Sequence, residues 1–176
     1  MDHHPIQPTN IEHRFGDDEI IVSKTDPRGW ITYANDIFCK ISGFREDEMI
    51  GKPHSLIRHP DMPRTVFKLL WETLKSKREI FAFVKNIAKD GGYYWVFAHV
   101  TPTLDQNGEI IGYHSNRRVP SKKAVAQISK IYEALLAEEK RHGDPKAGLA
   151  AGEALLVKTL ADAGVTYDEF VWSLQE

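Results

Sequence analysis

Apolar and polar positions begin to alternate at Glu19. The runs EIIVSK and WITYA read as two short strands joined by Asp26-Pro27-Arg28-Gly29, a strong reverse-turn signal. Asn35 is placed to cap a short helix, NDIFCKIS, that Gly43 ends, and REDEMI forms a second short helix ending at Gly51. The stretch Lys52 to Met62 carries two prolines and reads as irregular or a single turn. Pro63 suits the first turn of a longer helix, because its missing N–H is not needed there. On that helix Val66, Phe67, Leu70, Trp71 and Leu74 recur at the three-and-four spacing of one buried face.

Three longer strands follow, over 79–89, 93–104 and 109–119. Asp90-Gly91-Gly92 and Asp105-Gln106-Asn107-Gly108 connect them as hairpins. The middle strand places Tyr93, Trp95, Phe97, His99 and Thr101 on one face, and Tyr94, Val96, Ala98 and Val100 on the other. Both faces are apolar, so one covers a core and the other must be masked by a helix, a partner or a second copy. The order of elements predicts an α+β domain: a five-stranded antiparallel sheet with short helices on one face. A cavity wide enough for a flat cofactor is expected between sheet and helices.

Residues 1–17 are polar and without periodicity and read as an N-terminal arm; the domain is expected over 18–120, with a helical extension over 121–176. Residues 121–140 are amphipathic, with Val125, Ile128, Tyr132 and Leu135 on the apolar side and Ile131 at its edge. After a polar break, RHGDPKAG, two further helices are expected near 149–163 and 166–175, the last opened by the capping box of Thr166 and Glu169. Because a sheet domain of this size need not cover the apolar side of 121–140, a homodimer burying this helix, the outer sheet face or both is expected. His3 and His4 in the arm invite a metal reading, but no carboxylate or thiol accompanies them, and solvated histidines are the expectation.

Composition narrows the function. Of 176 residues 41% are hydrophobic, enough for a real core. Lys plus Arg number 23 against 25 Asp plus Glu, a net charge of −2, which argues against a nucleic-acid or anionic-membrane surface. The single cysteine, Cys39, excludes an internal disulfide framework and Cys-rich metal sites. No apolar run reaches the ~18–20 residues of a membrane helix, and no signal-peptide core is seen, so a cytoplasmic setting is expected.

Two blocks, GKPHSLIRHPDMP at 51–63 and VKNIAKDGGYYWV at 84–96, give this domain a resemblance. With Trp71 between them and the strand–helices–three-strand order around them, they resemble the flavin-binding PAS domain of bacterial aerotaxis receptors. The resemblance runs from about Asp18 to Pro120. It implies tightly but non-covalently bound FAD whose redox state reports respiratory electron flow or oxygen.

It also implies site residues: Arg58, His59, Asp61, Trp71, Asn86, Trp95, His99 and His114. Arg58 offers paired donors to a diphosphate, or forms a surface ion pair with Asp61. His59 and Asp61 share the block that matches the family's FAD-contacting segment. Trp71 stacks on a ring of the cofactor or is plain core. Asn86 shares a strand face with Ala82 and Val84, where its amide matches a flavin pyrimidine edge or caps the nearby turn. His99, on the face of Trp95 and Phe97, replaces the Asn common in the family; it donates to a flavin carbonyl or is a satisfied core histidine. His114, two residues after Gly112, stands where the related light-sensing LOV domains place a Gln near flavin N5; it serves that atom or faces outward. LOV photochemistry uses a cysteine where this chain has His54, while Cys39 lies in an earlier helix, so a cysteinyl-flavin photocycle is not expected.

The leading expectation is therefore a non-enzymatic FAD sensor of redox state or oxygen that signals to the C-terminal helices or to a partner protein. No membrane span, methyl-accepting coiled coil or kinase follows in these residues. Two alternatives stand beside it: a haem-binding gas sensor ligated by His54, His59, His99 or His114, and a cofactor-free dimerisation module. No nucleophile–base pair, phosphate loop or metal motif in the sequence points to an enzyme.

Overall fold

A computed structural model describes residues 6–175; His3 and His4 lie outside them. Strands β1 (Ile21–Thr25) and β2 (Ile31–Ala34) open the domain, followed by helices α1 (Asp36–Ser42) and α2 (Glu46–Met49) and a 3-10 turn, His54–Ile57. Helix α3 (Arg64–Lys75) leads into β3 (Ile80–Ile87), β4 (Tyr93–Leu104) and β5 (Ile110–Arg118). Helices α4 (Lys122–Lys140), α5 (Pro145–Ala163) and α6 (Tyr167–Ser173) complete the described chain. The sheet is antiparallel throughout, in the order β2-β1-β5-β4-β3. This is the expected five-stranded α+β architecture with C-terminal helices.

Local chemistry explains the element ends. The Asn35 carboxamide oxygen accepts from the backbone N–H of Phe38 and of Val22, so one side chain caps α1 and ties it to β1. Gly43 closes α1 at φ 72°, a conformation a side chain would strain. Helix α5 starts four residues before the sequence reading placed it. Asp144 accepts from Ala147 N–H at 2.7 Å and Pro145 takes the first helical position, a cap hidden within the polar break.

The N-terminal arm is docked by backbone pairing at the β3–β4 hairpin. Thr9 N–H donates to Gly91 O, Tyr93 N–H to Ile11 O and His13 N–H to Tyr93 O, at 2.7–2.9 Å. A Cβ on Gly91 would stand 2.1 Å from Gln7 O, and one on Gly92 2.2 Å from His13 Nε2. The hairpin glycines therefore serve the close approach of the arm as well as the turn.

The outer face of β3 and β4 is covered by the chain's own helices. Tyr132 of α4 stacks on Trp95 and donates its hydroxyl to Phe83 O at 2.6 Å. Trp172 of α6 packs on Phe81 and Phe97, with ring centroids 4.8 and 5.7 Å away. Ala124, Ile128, Tyr132 and Leu135 of α4 are buried. The apolar surface that prompted the expectation of a second copy is thus largely spent within one chain. Tyr132→Phe, which deletes only the buried hydrogen bond to β3, is expected to cost about 1–3 kcal/mol in urea unfolding; an unchanged midpoint would show that α4 is held by packing alone.

Candidate functional site

Between the inner sheet face and the short helices lies a cavity of about 330 Å3. That is at the small end of the ~300–1,000 Å3 typical of small-molecule sites, room for one ring system and part of what it carries. Strand alternation decides what lines it. Val84 and Asn86 of β3, Val96, Ala98 and Val100 of β4, and Tyr113, Ser115 and Arg117 of β5 point inward. Phe67, Leu70, Trp71 and Leu74 of α3 form the facing wall, and Pro53, His54, Ile57 and Arg58 close one end. Two wider concavities, about 690 and 790 Å3, lie on the surface among exposed charges such as Lys40 and Lys89 in one and Lys77 and Arg78 in the other.

The electrostatics of the cavity turn on Arg117. It is 2% exposed, and among the described residues no carboxylate lies within ion-pair distance of it. Its Nη2 donates to Ser23 Oγ, its guanidinium lies 4.4 Å from the Phe38 ring centroid, and its Nε has no hydrogen-bond partner. Burial pushes its pKa down to about 10, so it stays cationic at neutral pH. The Tyr94 hydroxyl, fully buried in the neighbouring strand, likewise has no well-formed hydrogen bond, and burial raises its pKa.

His54 is matched to this cation. Its Nε2 stands 3.4 Å from Arg117 Nη1 and 3.2 Å from Ser23 Oγ. A guanidinium can only donate, so Nε2 is the acceptor and the imidazole is neutral. Burial first, and the Arg117 charge second, push its pKa down to about 3.

Of the sequence-predicted residues, Arg58, Trp71 and Asn86 line the cavity. Arg58 lies with its guanidinium 4.1 Å from the Phe67 ring centroid, and burial lowers its pKa. The backbone of Arg58 bridges to that of Asn86, which brings the two side chains to one end of the cavity. Trp71 meets Tyr113 edge to face at 5.2 Å and approaches Gly29 closely, where a Cβ would stand 3.1 Å from the indole.

The other five lie elsewhere. Trp95 and His99 belong to the outer phase of β4, the first under Tyr132 and the second stacked on Phe81 at 4.2 Å with Glu79 at 2.6 Å. His114 faces out of β5 toward Asn116, at 3.0 Å. Counting two residues from Gly112 selects the wrong strand phase, and the inward neighbours are Tyr113 and Ser115. His59 is buried beside the cavity, its Nδ1 accepting from Asp61 N–H at 3.0 Å, and Asp61 pairs with Lys85 at 2.7 Å instead of with Arg58. Burial and the Lys85 charge lower the His59 pKa. These two residues shape the Pro-bounded turn that delivers Arg58. Arg117, Ser23, Ser115 and Tyr113 were not singled out by sequence reasoning. The signal that finds Arg117 is its phase, odd-numbered with Tyr113 on a strand whose inward side is otherwise uncharged.

A buried imidazole kept neutral has a definite consequence for stability. Below pH 6.5 the unfolded chain binds a proton at His54 that the folded chain refuses down to about pH 3, so acid favours unfolding across that window. Relative to His54→Gln, the wild type is expected to lose up to about 1.4 kcal/mol per pH unit as pH falls through it. Urea midpoints at several pH values that run parallel for the two proteins would contradict this.

Comparison with known proteins places the fold. Residues 31–117 match the PAS fold family. The chain is 39% identical over 135 residues to the aerotaxis receptor of Escherichia coli, covering 77% of this chain and 26% of that protein. It is 32% identical over 99 residues to the nitrogen fixation regulatory protein of Klebsiella pneumoniae, covering 56% of this chain and 20% of that one. The chain thus spans about a quarter or less of these relatives' lengths. A light-oxygen-voltage domain studied with a flavin analogue superimposes with a TM-score of 0.58 at 19% identity, over 65% of this chain and 87% of that one, a likeness of fold. Among the described residues no helix is long and apolar enough to cross a membrane. On this family match and this sheet, residues 31–117 form a PAS domain, and the chain is similar in sequence to the aerotaxis receptor of Escherichia coli.

Proposed function

We propose that the cavity holds a flavin, FAD, and that the chain is a redox or oxygen sensor rather than an enzyme. The observation that carries this reading is Arg117, a buried cation with an unpartnered N–H and, among the described residues, no carboxylate within ion-pair distance. Such a charge is costly unless a ligand of suitable charge or hydrogen-bonding edge completes the site. The residues present fit a flavin in three respects. The walls formed by Val84, Val96, Ala98, Leu70 and Ile57 are apolar, as a flat ring requires. Asn86, 4% exposed, supplies both a donor and an acceptor for a pyrimidine edge. Arg58, without an ion-pair partner among the described residues, offers a fork of donors for a diphosphate. The similarity to an aerotaxis receptor supports the same reading.

Bound here, a flavin supplies a reversible two-electron couple whose reduced ring carries more negative charge or more protons than the oxidised one. Arg117 is the group that answers an added negative charge. Ser23 fixes its Nη2 and Phe38 its plane, so its position is set in advance. His54, neutral across the physiological range, accepts from Arg117 and adds no competing charge. From Arg117 the chain passes through Arg118, Val119 and Pro120 into α4, so a change in the pull on the guanidinium reaches the helix on the outer sheet face. The receivers are the C-terminal helices and, beyond them, a partner protein, with the cytoplasm as the setting.

Asn86→Ala is expected to weaken FAD binding by roughly 1–3 kcal/mol, about 5- to 150-fold. Flavin fluorescence in equilibrium dialysis measures this, and an unchanged affinity would remove Asn86 from the site. Cys39 does not line the cavity. Blue light is therefore expected to leave no long-lived bleached state, and a slowly recovering loss of visible absorbance would overturn that.

A further inference from the structure

Helix α3 forms one wall of the cavity but cannot finish its own N-terminus. Pro63 stands at the cap position and has no side chain that can accept a hydrogen bond. The first free N–H groups, those of Arg64 and Thr65, are taken by a carboxylate on α4. Glu139 Oε1 accepts from Thr65 N–H and from Thr65 Oγ1, both at 2.8 Å. Its Oε2 accepts from Arg64 N–H at 3.1 Å and from Arg64 Nε at 3.4 Å. Glu139 is 5% exposed, and it lies outside the segment that matches the PAS fold.

Helix α5 is built to close over this contact. A Cβ on Gly148 would stand 2.3 Å from Glu139 O, and one on Gly152 2.2 Å from Thr65 Oγ1. Arg64 Nη2 donates to Pro145 O at 2.9 Å, and Lys68 pairs with Glu153. So α3, α4 and α5 converge on one buried carboxylate, which sits where the positive end of the α3 dipole favours it. Less than a turn further along α3, Phe67 lines the cavity, followed by Leu70, Trp71 and Leu74. The Glu139 charge is also felt at Arg58, whose burial-lowered pKa it partly restores.

We infer that Glu139 is a positioning residue that makes the C-terminal helices part of the cofactor site, a latch between the cavity wall and the helical output unit. The occupant is taken from the flavin reading above; the latch itself does not depend on it. A ligand that orders Phe67 and Trp71 steadies α3, and a steadied α3 presents its first N–H groups to Glu139. By reciprocity, docking of α4 and α5 through Glu139 must favour the ligand by the same factor. Cavity occupancy and docking of residues 121–176 are therefore one coupled equilibrium.

The test uses the full chain, wild type and Glu139→Gln, with Glu139→Asp as the charge-preserving control. Hydrogen exchange is followed by mass spectrometry with and without added FAD. In Glu139→Gln, peptides covering 64–69 and 141–156 are expected to exchange at least tenfold faster, while those from β3 and β4 change less than twofold. FAD is expected to slow exchange over 141–156 in the wild type and not in Glu139→Gln, which binds FAD at least fivefold more weakly. Glu139→Asp is expected to recover part of both effects. Equal exchange over 141–156 in wild type and Glu139→Gln overturns the latch, as does FAD affinity within twofold of wild type. A wild type that binds no FAD is instead a failure of the flavin reading, visible before any variant is compared. Should Glu139→Gln not fold, Gly152→Ala, whose Cβ would stand 2.2 Å from Thr65 Oγ1 and 3.1 Å from Glu139 Cγ and so pushes α5 off the contact while keeping the carboxylate's charge, is expected to give the same two changes; if neither is seen, the proposal is overturned.

Discussion

A guanidinium sealed inside a PAS domain, with no carboxylate partner among the described residues, is the constraint to which the rest of this structure answers. An unpaired buried charge is destabilising by several kcal/mol unless its surroundings compensate. Here compensation is partial: one hydroxyl, one aromatic face and one neutral imidazole hold Arg117, and its Nε is left over. His54 stays neutral because burial first, and the Arg117 charge beside it second, disfavour its protonation. The inner phase of β5, the position of Ser23 on β1 and the placement of Phe38 on α1 all serve this one group. In the proposed reading, a ligand that brings electron-rich edges or negative charge is what completes this arrangement.

The sheet separates two tasks. Its inner face, apolar at Val84, Val96, Ala98 and Val100 and polar at Ser23, Thr25, Asn86, Tyr113, Ser115 and Arg117, makes the cavity. Its outer face, rich in aromatics at Phe81, Trp95 and Phe97, is where α4 and α6 dock. Residues two positions apart on β4, Val96, Ala98 and Val100, line the cavity, while Trp95 and Phe97 between them pack against α4 and α6. Helix α3 gives a second link, running from Glu139 at its N-terminus to Trp71 at the cavity. In the proposed reading a signal need not cross the sheet by a single wire, because both routes join packed elements end to end.

The elements were largely legible in the sequence because their signals are local. Turn residues, caps and alternation mark five strands and the short helices directly, and Arg58, Trp71 and Asn86 fall on the cavity. Strand phase was harder. Once the outer face of β4 is known to be as aromatic as a core, apolarity no longer says which face looks at the ligand. Trp95 and His99 were named through the family resemblance, and the apolar pattern of β4 offered nothing against it. His114 shows how a one-residue difference in counting along a strand moves a side chain to the opposite face. Arg117 was hidden because two adjacent arginines near a strand end read as solvated, and only the paired register shows that one of them is inside. Glu139, one glutamate in an amphipathic helix, could be told from its neighbours only by the helix it caps, 74 residues away in the chain.

The central claim is that Arg117 is held ready for negative charge gained on reduction, and the midpoint potential of the loaded protein as a function of pH tests it most directly. If the guanidinium keeps the reduced ring anionic, two electrons are accompanied by one proton. The potential should then fall by about 30 mV per pH unit from pH 6 to pH 8, without a break near neutrality. A slope near 59 mV per pH unit over that range, two protons for two electrons, would contradict the account.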